Sequence, residues 1–149
     1  KRFFKILWVV ILALYPWLLS AQTFAKAKKA VYVIVDGIPA DQIERLHTPA
    51  IFDIASKGAY SRAYTGGEIG GYSQTATISA IGYTNLLTAT WFNKHNVGGN
   101  SDLKPNYNYW TIFRIAKEQP KKYKTAIYSS WTNNRTVLIG EKGNKLSQD

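Results

Sequence analysis

The chain has 149 residues, 46% of them hydrophobic, enough to build a core and too many for a disordered tail. Its net charge is +10, but the lysines are scattered and no aromatic-plus-basic ladder accompanies them, so specific nucleic-acid binding is not expected. There is no cysteine, which excludes disulfides, thiolate-bound zinc and lipid attachment through a cysteine.

Residues 1–21 read as a signal peptide. Lys1, Arg2 and Lys5 form a basic start, Ile6 to Tyr15 is an apolar run, and Ser20-Ala21 offers small residues for cleavage. An uncleaved membrane anchor is the alternative; Pro16 cuts the apolar run short of the roughly 20 residues a span requires. Cleavage would release a secreted or periplasmic protein, with membrane contact only through an uncleaved leader. The chain lacks methionine even at position 1 and is expected to be a piece of a longer reading frame.

Residues 22–29 are a polar, basic linker, and residues 30–149 are expected to form one α/β unit. Ala30 to Val35 is continuously apolar and β-branched, the pattern of a strand buried on both faces in a parallel sheet. The run ends in Asp36-Gly37, at the carboxyl end where open α/β sheets gather function. Thr48-Pro49 is a helix start, with Gly58 as its stop. A short strand is expected at 59–64, then a glycine-rich loop over 65–71 without the Lys-Ser/Thr ending of a nucleotide P-loop. Helices are expected over 79–90 and 109–118, and a strand over 124–129. This order points to a doubly wound, mostly parallel sheet.

The most informative stretch is Ser79-Ala80-Ile81-Gly82-Tyr83-Thr84-Asn85-Leu86-Leu87-Thr88-Ala89. It resembles the alkaline phosphatase superfamily, in which a nucleophile is followed nine positions later by Thr-Gly. His95-Asn96-Val97-Gly98-Gly99-Asn100 resembles the His-Gly-Ile-x-x-Asn segment of the nucleotide pyrophosphatase/phosphodiesterase branch, without a gap from Ser79. Val35-Asp36-Gly37 is similar to that branch's strand-ending Asp-Gly, and Thr48-Pro49 with Gly58-Ala59 to its Thr-Pro…Gly helix. The similarity spans most of residues 31–131.

The resemblance implies a hydrolase of phosphoric esters that works with two divalent metal ions, zinc in this family, on a small phosphoester or nucleotide. It implies Asp36 as a ligand of one zinc, Ser79 as the nucleophile bound to that zinc, and Asn100 as a donor to a phosphoryl oxygen. The remaining zinc ligands of the family lie later in its chains, so the present stretch is expected to be inactive alone. Two departures matter. Ala89 stands where the family has Gly, and the branch prefers Thr as nucleophile, which keeps Thr77 open as the alternative to Ser79. His47 reads as an exposed loop histidine.

The chemistry is consistent with these residue types. A hydroxyl is a poor nucleophile at neutral pH and gains from a metal and from a helix N-terminus beside it. An amide side chain is a fitting donor to a non-bridging oxygen. Two rival readings stay open: a surface-binding protein that keeps the fold without catalysis, and a sulfatase-type relative. The second is weakened because Ile81 and Tyr83 occupy the positions where a sulfatase carries Pro and Arg.

Overall fold

The structure, a computed structural model, describes residues 29–120 and 123–141. The leader and most of the linker lie outside the described residues. No described helix is long and apolar enough to cross a membrane. The chain divides into two compact units, 1–33 and 34–149. Of the first, only residues 29–33 are described, and they carry no helix.

The second unit opens with a turn at Gly37, whose φ of +76° suits a residue without Cβ. Helix α1 (Ala40–Arg45) begins after Pro39, whose ring fixes φ at −63°. Helix α2 (Pro49–Lys57) starts where Thr48-Pro49 signals it and ends at Gly58, whose amide bonds the Ile54 carbonyl. Thr48 occupies the N-cap position but makes no side-chain cap bond, and its buried Oγ1 has no partner among the described residues.

The glycine-rich loop closes on itself. Glu68 N donates to Ser73 Oγ at 3.0 Å and Gly70 N to Gln74 Oε1 at 2.8 Å. A Cβ on Gly67 would fall 1.9 Å from the Ser73 carbonyl oxygen, so the chain passes too close there for any side chain.

Helix α3 (Ser79–Thr88) is the hub of the unit. It contacts α4 (Phe92–His95), α5 (Ile112–Lys117) and a π-helical turn at Asn134–Leu138. Its inner face buries Ala80, Ile81, Thr84, Asn85 and Leu87. Ala80 packs in one cluster with Val97 and Leu138, and Tyr83, Leu103 and Trp131 lie against it. Full burial of side chains this size stabilises by roughly 1.5–3 kcal/mol each. Thr84 and Thr88 satisfy their hydroxyls by donating to the carbonyls of Ala80 and Thr84, each at 2.7 Å.

The helix stops at Ala89, which takes the left-handed conformation at φ +54°. A left-handed C-terminal residue is usually glycine. Ala89 makes this turn at a steric cost.

Helix α5 is shorter than the 109–118 expected. Thr111 Oγ1 accepts from Arg114 N at 3.3 Å and fixes the start one residue before Ile112. Arg114 is nearly buried, donates to the Tyr107 carbonyl and lies 4.4 Å from the Trp110 ring centre. Tyr107 Oη donates to the Val137 carbonyl at 2.6 Å and ties this region to the π-helical turn.

None of the three expected strands pairs with another segment among the described residues. Val31, Val33 and Val35 are 87%, 71% and 64% exposed. Three short elements were not among the expected ones: α1 is six residues long, α4 is a single turn, and the π-helical segment is five residues long.

Candidate active site

Ser79 is the first residue of α3, following the extended Ile78. Its side chain turns away from the core toward the end of the Ala30–Val35 run. Ser79 Oγ donates to Asp36 Oδ2 at 2.8 Å. Tyr83, one turn further along α3, donates its Oη to the same Oδ2, also at 2.8 Å. Residues four apart on a helix share a face, so both hydroxyls reach one carboxylate oxygen. Sequence reasoning missed this role of Tyr83, although the Ser79–Tyr83 spacing carried the signal.

The Asp36 carboxyl is held below its usual range, first by the Tyr83 hydroxyl and then by Ser79, against an opposing effect of desolvation and with help from the Gly37 amide. Tyr83 moves the other way. Burial and the donated bond to Asp36 raise its phenol above the ordinary value.

Asn100 approaches the same helix tip from the opposite side in sequence. Its Oδ1 accepts from the Ala80 amide at 2.9 Å. That amide is one of the donors left unpaired at a helix N-terminus. With Oδ1 so engaged, the NH₂ end of Asn100 is left as a donor.

The structure thus brings Asp36, Ser79 and Asn100 together and adds Tyr83. Thr77 makes no hydrogen bond to Asp36; the bond comes from Ser79. His47 is exposed.

His95 is buried to 1% exposure. Its Nδ1 accepts from the Val97 amide at 3.0 Å, and its Nε2 lies 2.7 Å from Asn85 Oδ1. An acceptor at Nδ1 leaves the neutral ring's proton on Nε2, which donates to Asn85. Turning the Asn85 amide over would offer its NH₂ to Thr90 and Ile81 carbonyls. It would also make both ring nitrogens acceptors, one more than a neutral imidazole offers, whereas the other orientation sets Asn85 Oδ1 against the Thr90 and Ile81 carbonyl oxygens; in both, Asn85 lies 2.7 Å from Nε2. Burial pushes the His95 pKa down to about 4.

Oxygens 2.8 Å apart on Ser79 and Asp36 are close enough for one cation to touch both. Two oxygen donors make half of a tetrahedral zinc shell. No group of three or more His, Cys, Asp or Glu side chains gathers around an ion position among the described residues. Comparison with protein-family models, curated proteins and solved structures finds no match to this chain.

Proposed function

We propose that this chain is part of a secreted or periplasmic, metal-dependent hydrolase of phosphoric esters, with Ser79 as the nucleophile. The observation that carries the reading is the Ser79–Asp36 contact at the tip of α3. A hydroxyl, a carboxylate at 2.8 Å and a helix N-terminus held by an amide side chain converge there. This is the combination that phosphoryl transfer needs, since catalysis of that reaction is mostly positioning and charge stabilisation.

Each residue's part follows from its surroundings. Asp36 is a poor proton acceptor, because two donated hydroxyls stabilise its charged form. A carboxylate in that state suits holding a cation better than general base catalysis. Asp36 and Ser79 would supply two of the donors to zinc. When bound, the metal would lower the proton affinity of the hydroxyl and neutralise phosphoryl charge. Ser79 Oγ, its proton passing to solvent, would attack phosphorus as the P–O bond to the ester's alcohol (or to the second phosphate of a pyrophosphate) breaks and that group leaves with a proton from water. Water would then cleave the phosphoseryl bond, releasing the phosphate product and restoring the serine hydroxyl. Asn100 would donate its NH₂ to a non-bridging oxygen, and the α3 N-terminus would add a favourable potential for the anion. The substrate class is a small phosphodiester, pyrophosphate or monoester. A doubly wound sheet with Ala30–Val35 as a central strand belongs to the same proposal.

The test compares Ser79→Ala with Thr77→Ala in the protein expressed from its full reading frame and supplied with zinc. Hydrolysis of p-nitrophenyl phosphate and bis-p-nitrophenyl phosphate is the readout. Ser79→Ala is expected to lose about a thousandfold or more in kcat/KM, and Thr77→Ala less than about tenfold. The reverse order would transfer the nucleophile to Thr77, and full activity in both variants would sink the proposal.

A further inference from the structure

Asn100 reaches α3 from a loop that is itself built around one buried side chain. The loop leaves α4 at Asn96, which takes the left-handed conformation at φ +61° and donates its amide to the Phe92 carbonyl. Val97 then turns into the core at 0% exposure, against Ala80 and Leu138. Its amide has no helix or sheet partner; it donates to His95 Nδ1. His95 is in turn held at its other nitrogen by Asn85, which projects from α3. The His95 carbonyl accepts from Asn106 N at 2.9 Å, and Asn96 Nδ2 reaches the Lys104 carbonyl at 3.1 Å, so the far side of the loop is anchored too. Gly98 passes so near the Phe92 ring that a Cβ there would sit 3.2 Å from it.

We propose that His95 is a positioning residue: through the Val97 amide it sets the loop that delivers Asn100 to the Ala80 amide behind Ser79. The path runs Asn85, His95, Val97, Asn100, Ala80, so it starts and ends on α3 and forms a closed brace around the helix's first two turns. The catalytic consequence rests on the reading of Ser79 and Asn100 given above; the brace itself does not. Among the described residues no charged group faces His95. Asn85 and the Val97 amide meet its nitrogens, and Phe92 meets its ring edge-on at 6.4 Å.

Two substitutions separate the contacts. In His95→Asn the side-chain oxygen falls near the place of Nδ1 and still accepts from Val97, while the reach to Asn85 is lost. In His95→Gln the reach to Asn85 is kept and the acceptor for Val97 is lost. The primary readout is hydrogen exchange at the Ala80 amide in folded protein, which needs no activity. Protection is expected to fall roughly tenfold in His95→Gln and in Asn100→Ala, and to stay within about threefold of the parent in His95→Asn. In His95→Gln/Asn100→Ala the second change should add almost nothing, because both cut the same path. Hydrolysis of bis-p-nitrophenyl phosphate should show kcat falling more in His95→Gln than in His95→Asn. If Ala80 protection is indifferent to His95→Gln, or the two changes simply add, the positioning role is wrong. If protection behaves as stated but Ser79→Ala keeps its activity, the brace stands and the hydrolase reading fails instead.

Discussion

At the scale of single residues, His95 is a titratable side chain held almost wholly out of water. Its folded pKa of about 4 lies below the ordinary 6.5. The neutral ring is therefore what the fold holds, and the unfolded chain takes up the proton first as pH falls. Stability from this group is complete above pH 6.5, declines as pH drops, and is exhausted near pH 4. The shift corresponds to about 3 kcal/mol across that window. Urea unfolding followed between pH 7.5 and pH 4 should show the decline, and His95→Asn should flatten it. A parent protein equally stable at both ends would mean that the ring is not held neutral. Tyr83 teaches a related point. Its hydroxyl stands on the Asp36 carboxylate, yet in the sequence an aromatic residue in an apolar helix looks like core. Only the four-residue offset from Ser79 separates the two roles.

At the scale of elements, two threonines begin helices and differ in what they contribute. Thr111 accepts from the Arg114 amide. Thr48 stands at the corresponding position of α2 with its hydroxyl buried and unpartnered. Thr111→Val should cost about 1 kcal/mol, the usual worth of a cap. Thr48→Val should be neutral or slightly stabilising, within about 0.5 kcal/mol, because it removes a polar atom that already lacks its bond. Thermal denaturation of the two variants gives the comparison; equal losses would show that Thr48 does cap α2. The start of α2 was legible because Thr-Pro is a local steric signal; α3 begins at the expected Ser79, but Ser79 does not cap it and the acceptor for its Ala80 amide comes from Asn100. Asp36, Ser79 and Asn100 were singled out through the resemblance and not through periodicity; the structure gives the contacts Ser79–Asp36 and Ala80–Asn100, and their roles stay part of the proposal. The single turn of α4 and the π-helical turn were not legible, since each is too short to show a repeat. The runs at 30–35 and 124–129 show strand composition, but a ladder requires a partner, and none pairs among the described residues.

At the scale of the molecule, the Ala30–Val35 run is the feature that would link fold to function in the proposed reading. Val31, Val33 and Val35 lie exposed although their sequence is that of an interior strand. In the proposed sheet this run has a neighbour on each side and helices over each face. Val33→Asp should then prevent folding of the protein made from its full reading frame, because a lone carboxylate cannot be buried without a partner. Circular dichroism and the soluble yield report the outcome. A soluble variant with unchanged unfolding would place Val33 at the surface and remove the central strand from the proposal.

The arrangement at the start of α3 has a consequence for how the chain folds. Helices are normally begun by a neighbour in sequence, but Ile78 has no group with which to do so, and the acceptor for the Ala80 amide arrives from Asn100. The helix that carries Ser79 therefore has no self-sufficient beginning. Its first turn becomes fixed when the chain twenty residues later has closed over it, so the end that carries Ser79 is assembled by tertiary structure and has little autonomy as a local segment.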